Sequence, residues 1–71
     1  ESPIVNGRYI IYDTGDETVK CLGIDGTVYW EMSGESCGVL RDVIFISNDG
    51  CMTAYDWDGN FLYNSIWYYE K

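Results

Sequence analysis

Histidine is absent from this sequence, proline occurs once, and long apolar runs are missing. Without histidine, the chain cannot form a Ser-His-Asp triad or a Cys-His pair. A membrane-spanning helix needs about 20 consecutive apolar residues, and no apolar run approaches that length. We therefore expect neither those catalytic arrangements nor an association with a membrane.

Basic charge is also scarce, because four Lys and Arg residues face twelve Asp and Glu residues. The basic residues are scattered along the chain, and the net charge is −8. Nucleic-acid phosphates repel a chain of this charge. We therefore expect no direct contact with nucleic acid.

The three cysteines, Cys21, Cys37 and Cys51, include no CxxC pair. A tetrahedral zinc site needs four ligands, and the chain has no histidine to complete one. Secreted disulfide frameworks usually contain an even number of cysteines. We expect reduced thiols and a cytoplasmic protein, with one disulfide plus a spare thiol as the alternative.

The chain is short, with 71 residues, but it is rich in aromatic side chains, including seven Tyr and three Trp. A length of this order predicts one domain. Chains of about this size bury only ~60% of their unfolded surface, so they usually need a staple, a metal or a partner.

The sequence contains two copies of one unit. Residues 9–31 align with residues 43–64 with one deletion near Gly15, at a period of 33 to 34 residues. Repeats of about 20–50 residues are typical of solenoids, propellers and arrays. We predict a single domain over residues 1–71, made of repeats at about 3–34 and 37–67.

Each unit has the pattern of four short strands joined by tight turns, which predicts an all-β fold of two tandem four-stranded antiparallel meanders. Asn6-Gly7, Asp25-Gly26 and Asp58-Gly59 are strong hairpin signals, since these residues tolerate positive φ. The predicted strands are Pro3–Val5, Arg8–Asp13, Thr18–Leu22 and Thr27–Met32, then Cys37–Leu40, Val43–Asn48, Cys51–Tyr55 and Asn60–Ile66.

The second strand of each unit is apolar on both faces, whereas the third and fourth strands alternate. This pattern predicts that Ile10, Ile11, Ile44 and Phe45 are nearly buried. A sheet whose inner strands are covered on both faces and whose outer strand is more exposed to solvent is typical of a propeller blade.

Two stretches, CLGIDGTVYW from Cys21 and AYDWDGNFLY from Ala54, resemble the quinoprotein-type (PQQ-like) β-propeller repeat, whose pattern is AxDxxTGxxxW after a hydrophobic strand. The resemblance covers nearly the whole chain and implies blade-like units. Gly23 stands in place of the usual Asp, and Tyr63 replaces the second Trp. The family's cofactor occupies the channel of a complete ring, so no cofactor is expected for two units.

Two units cannot close a propeller. Either they pack together as a small sandwich or barrel, or chains associate into a ring, and we favour a homo-oligomer. The aromatic tail stands where a third unit would begin, and it either caps the last unit or contacts another chain. The predicted oligomer contacts are Trp67, Tyr68 and Tyr69.

Asp56, Asp58 and Asn60 alternate around Gly59, as ligands of a calcium loop do. A calcium loop of the EF-hand type needs glycine at its sixth position and a bidentate Glu at about its twelfth. Neither is present, so we interpret the stretch as a hairpin turn and predict no metal site.

Acidic turns and exposed aromatics remain as candidates for function. We predict a non-enzymatic protein that binds and blocks a basic-surfaced macromolecule, such as a nucleic-acid-binding protein, as viral or mobile-element inhibitors do. In the viral case the compartment is the host cytoplasm. The alternative is an oligomeric module that binds a sugar or nucleotide, or that serves as an assembly unit. The predicted partner-binding residues are Asp13, Asp16, Glu17, Asp49, Asp56, Trp57 and Asp58.

Overall fold

A computed structural model describes residues 3–66, which form eight strands and no helix. The predicted tail contacts Trp67, Tyr68 and Tyr69 lie outside the described residues. Within residues 3–66 no helix has the length and apolarity that a membrane crossing requires. The strands are β1 (Ile4–Asn6), β2 (Tyr9–Asp13), β3 (Thr18–Gly23), β4 (Val28–Ser33), β5 (Ser36–Leu40), β6 (Val43–Asn48), β7 (Cys51–Tyr55) and β8 (Phe61–Ile66).

The strands form two separate four-stranded antiparallel sheets, in the orders β1-β2-β3-β4 and β5-β6-β7-β8. We call them unit 1 and unit 2. The predicted all-β class and the two meanders are confirmed, and every strand end agrees with the prediction to within a residue. The barrel alternative is not observed, since no strand of one described sheet pairs with the other.

The hairpins follow the turn residues that the sequence supplies. Asn48 pairs with Cys51, and between them Asp49 and Gly50 both have positive φ, at 56° and 77°. A two-residue turn of this kind matches the twist of the strands that it joins. The residues of this turn therefore determine where the chain reverses between β6 and β7.

Both units contain the same irregularity. The register between the third and fourth strands shifts after Cys21 in unit 1 and after Ala54 in unit 2. Each shift is a β-bulge with one extra residue on the fourth strand, Tyr29 or Leu62. The repeat thus extends to the details of strand pairing.

The two sheets share one hydrophobic core. Ile11, Val19 and Cys21 contribute from unit 1, while Ile44 and Ile46 contribute from unit 2. All five are buried, and side chains of the neighbouring strands pack around them. The core therefore lies between the sheets and holds the units together.

Each sheet has only one covered face, which corrects the prediction for its second strand. Ile11 and Ile44 are buried as expected, but the prediction is wrong for Ile10 and Phe45, which are half-buried. Neighbouring residues of a strand point to opposite faces, and each described sheet meets only one sister sheet.

Cys21 and Cys51 are free thiols, as predicted. Burial, reinforced by the charge of Asp58, raises the pKa of the Cys21 thiol to about 11. A thiol with this pKa is protonated at neutral pH and a poor nucleophile. Cys21 therefore acts as a small apolar side chain of the core.

Candidate functional site

The stretch from Asp56 to Asn60 is a hairpin turn, and it has the same backbone bonds as its counterpart in unit 1. The Gly59 N–H donates to the Asp56 carbonyl over 3.0 Å, and the Asp56 N–H donates to the Asn60 carbonyl over 3.0 Å. Gly59 then adopts a φ of 88°. This is a three-residue hairpin loop that ends in a left-handed glycine.

The Asp56 carboxylate orders this turn from within. It accepts hydrogen bonds from the backbone N–H groups of Asp58 (3.0 Å) and Asn60 (2.9 Å), and from the Asn60 side-chain amide (3.1 Å). These bonds, the Asn60 N–H first, hold the pKa of Asp56 below its ordinary value. In residues 3–66 no three potential metal-ligating side chains come together.

Trp57, at the tip of the turn, packs against unit 1. It is 8% exposed, and its ring centroid lies 5.5 Å from that of Tyr9. Its carbonyl accepts a 2.9 Å hydrogen bond from the Trp30 indole N–H. The buried indole N–H of Trp57 has no hydrogen-bond partner among the described residues. Packing and the backbone contact therefore hold Trp57 in place.

Trp30 lies directly on the backbone of the turn. A Cβ added at Gly59 would approach two atoms of the Trp30 ring to 3.0 Å, closer than ordinary van der Waals contact. Glycine at this position thus serves both the left-handed backbone and the close approach of Trp30.

The β-bulge of unit 1 places a further aromatic ring beside Trp30. Tyr29 is the extra residue of the bulge, and bulges redirect side chains near them. Its ring packs edge-on against Tyr9, at 5.5 Å between centroids and 70° between planes. Its hydroxyl lies over Gly23, where an added Cβ would approach it to 2.6 Å.

These residues surround a pocket of about 250 Å³ at the junction of the two units. Asp58 lies at its exposed rim, and the Tyr9 hydroxyl donates to Asp58 Oδ1 over 3.0 Å. This hydrogen bond, more than partial desolvation, raises the pKa of Tyr9. The lining residues are Tyr9, Tyr29, Trp30, Trp57 and Asp58.

The pocket combines four aromatic side chains with one carboxylate. Ring faces carry partial negative charge and attract cations, and the Asp58 carboxylate adds a full negative charge. Pockets for drug-sized ligands enclose about 300–1,000 Å³, so this one suits a small ligand or the head group of a larger one.

The predicted partner-binding residues fall at opposite ends of the sheets. Asp56, Trp57 and Asp58 lie together in the β7–β8 turn. The other four lie at the ends of the β2–β3 and β6–β7 hairpins, at the far end of the antiparallel strands. Those four are Asp13, Asp16, Glu17 and Asp49. The structure therefore does not bring all seven residues into one surface.

At the far end, the β2–β3 loop makes hydrogen bonds of its own. The Thr14 hydroxyl donates to the Asp16 carboxylate, and this bond is the main cause of the lowered pKa of Asp16. The Glu17 carbonyl accepts a 2.9 Å hydrogen bond from the Gly34 N–H. The loop is thereby attached to the connection between the units.

Sequence reasoning missed Tyr9, Tyr29 and Trp30 as pocket residues. The high aromatic content was the available signal, but strand alternation places Tyr29 on the face opposite Trp30. Only the register shift of the bulge, which the alternation does not encode, sets Tyr29 beside Trp30.

Comparison with known proteins gives no family assignment: neither protein-family models nor curated proteins match this sequence.

Proposed function

We propose that this protein is a non-enzymatic binding module that holds a small organic cation in the pocket between its two units. The observation that carries the proposal is the set of four aromatic rings with a carboxylate at the rim. A trimethylammonium group is the kind of ligand that such rings accept, because it offers diffuse positive charge and an apolar surface.

The charge of the protein favours a cation over the nucleotide that the sequence analysis considered. The net charge of −8 raises the local concentration of cations. A nucleotide phosphate would instead be repelled by the exposed carboxylate of Asp58. A neutral sugar could stack on the rings, but it would gain nothing from the charge.

The expected affinity is modest. A cation–π contact contributes about 0.5–2 kcal/mol, and an exposed charge pair contributes ~0.2–1 kcal/mol. A few such contacts sum to roughly 4 kcal/mol, which corresponds to a dissociation constant on the order of 1 mM.

Tryptophan fluorescence tests this proposal, because Trp30 and Trp57 line the pocket. Choline is titrated against 3,3-dimethyl-1-butanol, its uncharged carbon analogue. We expect saturable binding of choline, at least about tenfold tighter than the analogue, which is ~1.4 kcal/mol. Equal binding of the two, or saturable binding of glucose without binding of choline, would contradict a cation site.

Variants locate the binding site. Tyr29→Ala removes an exposed ring of the pocket and should abolish binding without unfolding the protein. Leu62→Ala is the matched control, since Leu62 is the bulge residue of unit 2 and does not line the pocket. Asp58→Asn should weaken choline binding and leave the analogue unaffected.

A second proposed function uses the far-end acids. Asp13, Asp16, Glu17 and Asp49 lie on two hairpin ends without a Lys or Arg in either turn. This concentration of negative charge at one end supports docking to a basic-surfaced protein. The docked chain would block that protein, as predicted from the sequence. Arg8 lies at the other end.

The docking proposal is tested with a basic DNA-binding protein and its DNA. The protein should displace the DNA at low salt and lose this effect as salt rises, because exposed charges are screened. Neutralising Asp13, Asp16, Glu17 and Asp49 to Asn or Gln should abolish displacement. Neutralising Asp25 and Asp42, at the other end, is the control and should leave it intact.

A further inference from the structure

The contact between the two units joins opposite faces of the same repeat. We define face A as the side of each sheet that carries Ile11 in unit 1 or its repeat counterpart Phe45 in unit 2. Face B carries Ile10 or its counterpart Ile44. The core contains Ile11 and Ile44, so face A of unit 1 packs on face B of unit 2.

Among residues 3–66, no element covers face A of unit 2. Phe45 packs edge-on against Tyr63 at 6.5 Å between ring centroids, and Tyr63 remains 51% exposed. Leu40, on the same face, is 65% exposed. Face A of unit 2 is thus an apolar surface of the type that unit 1 buries.

Face B of unit 1 is open in the complementary way. Val5 is 65% exposed, while its counterpart Val39 packs against the core. Ile24, in the β3–β4 turn, is 72% exposed, while its counterpart Trp57 is 8% exposed. Unit 1 therefore presents, uncovered, the positions through which unit 2 contacts its sister.

We infer that a second copy of this chain docks on the first by repeating the contact between the units. Face B of its unit 1 covers face A of unit 2 in the first copy, and its Ile24 takes the position of Trp57. The occupant is argued from the chain itself, because the same pair of faces already forms the hydrophobic core. This inference does not depend on the pocket ligand.

Charge on the open face is compatible with docking. The Lys20–Glu31 pair lies on face B of unit 1, with 3.9 Å between Lys20 Nζ and Glu31 Oε1. Its counterparts in unit 2 are Thr53 and Asn64, which are half-buried and exposed. The pair would lie at the solvent-exposed edge of the new contact, where ionic groups remain hydrated.

The contact joins different surfaces of the two copies, so it is heterologous. Such contacts build a ring when the rotation closes and an open stack when it does not. A two-fold dimer is not expected. The assembly state should therefore rise with concentration beyond a dimer unless a small ring forms.

Light scattering coupled to size exclusion tests this inference on the full chain, from micromolar to millimolar concentration. We expect the mass of the wild type to exceed that of a monomer at the upper end. Ile24→Lys and Tyr63→Lys should each prevent association, and circular dichroism checks that both remain folded. Phe61→Lys is the control, because Phe61 is equally exposed but lies on the occupied face B of unit 2.

Mixing the two variants makes the test specific for head-to-tail contact. Tyr63→Lys keeps an intact face B on unit 1, and Ile24→Lys keeps an intact face A on unit 2. Each variant alone should be monomeric, while the mixture should form a one-to-one heterodimer that grows no further. A monomeric wild type at millimolar concentration, or a mixture that stays monomeric, would overturn the inference.

Discussion

The two β-turns at the ends of the third strands differ in environment far more than in structure. Gly23–Thr27 and Asp56–Asn60 share their backbone hydrogen bonds, and Gly26 and Gly59 have nearly equal φ values of 90° and 88°. Yet within the described part of the chain only the second turn packs on the other sheet: Trp57 is buried against Tyr9, whereas Ile24 is exposed. The local sequence determines the shape of a turn, while its place in the chain determines what it contacts.

The second strands of the two units, β2 and β6, likewise have similar sequences but different burial. Ile44 is fully buried, but its repeat counterpart Ile10 is half-buried. Ile11 is fully buried, but its counterpart Phe45 is half-buried. Each unit buries one apolar face and leaves the other partly exposed, and the two units bury opposite faces of the repeat.

The largest test of this comparison replaces Ile44 and Ile10 separately with Ala. Ile44→Ala should lower the free energy of unfolding by about 2–5 kcal/mol, as is usual when a buried aliphatic side chain leaves a cavity. Ile10→Ala should cost less than about half of that, because the removed atoms were partly in water already. Urea denaturation at low micromolar concentration, where any association between copies is weakest, measures both.

Equal costs at low concentration would contradict the assignment of covered and open faces. The protein must tolerate the larger loss for the comparison to work. For 71 residues, a typical stability is roughly 4–11 kcal/mol. If Ile44→Ala does not fold, Ile44→Val against Ile10→Val keeps the comparison at about 0.5–1.5 kcal/mol for the buried site.

The sequence was sufficient for the strands and turns because their signals are local. Alternation of apolar residues and the Asp-Gly pairs specify hairpins without reference to the rest of the chain. These signals predicted the meanders and the turn at Asp56–Asn60. They also identified the pocket residues Trp57 and Asp58, but for a partner surface rather than for a pocket.

The pocket could not be predicted, because it depends on contacts between units. Tyr9 and Trp57 are 48 residues apart in the chain, and they meet only after one face of each unit has been chosen. The apolar pattern permits either face of β2 and β6, so it leaves this choice open. The bulge at Tyr29 is similarly a result of the pairing of two strands.

A smaller test compares Gly59→Ala with Gly26→Ala. Both substitutions place a side chain on a left-handed backbone, at a cost of about 1–2 kcal/mol. A Cβ at Gly26 meets no atom within 4 Å, whereas one at Gly59 meets the Trp30 ring at 3.0 Å. Gly59→Ala should therefore lose additional stability and weaken the Trp30–Trp57 hydrogen bond, worth roughly 0.5–1.5 kcal/mol.

Thermal unfolding and tryptophan fluorescence measure the difference between the two glycine variants. Gly59→Ala should shift the emission of the folded protein, since Trp30 must move. Gly26→Ala should leave the emission unchanged. The same loss of stability and the same spectrum for both variants would show that Trp30 does not rest on the unit 2 turn.

The smallest expected effect concerns pH and the two turn carboxylates. Asp56 accepts three hydrogen bonds within its turn, whereas Asp25 accepts one from the Thr27 N–H, at 3.0 Å. Both have a pKa below the ordinary value, caused first by a backbone N–H. A carboxylate with a lowered folded-state pKa stabilises the fold above its unfolded pKa of about 3.9. This stabilisation is lost as pH falls through the folded-state pKa.

Asp56→Asn should therefore flatten the decline in stability below about pH 4 more than Asp25→Asn does. Other carboxylates titrate in the same range, so the difference between wild type and each variant, measured by urea denaturation from pH 6 to pH 2.5, isolates the contribution of each turn. The same difference at both positions would mean that the additional bonds to Asp56 do not distinguish the packed turn from the open one.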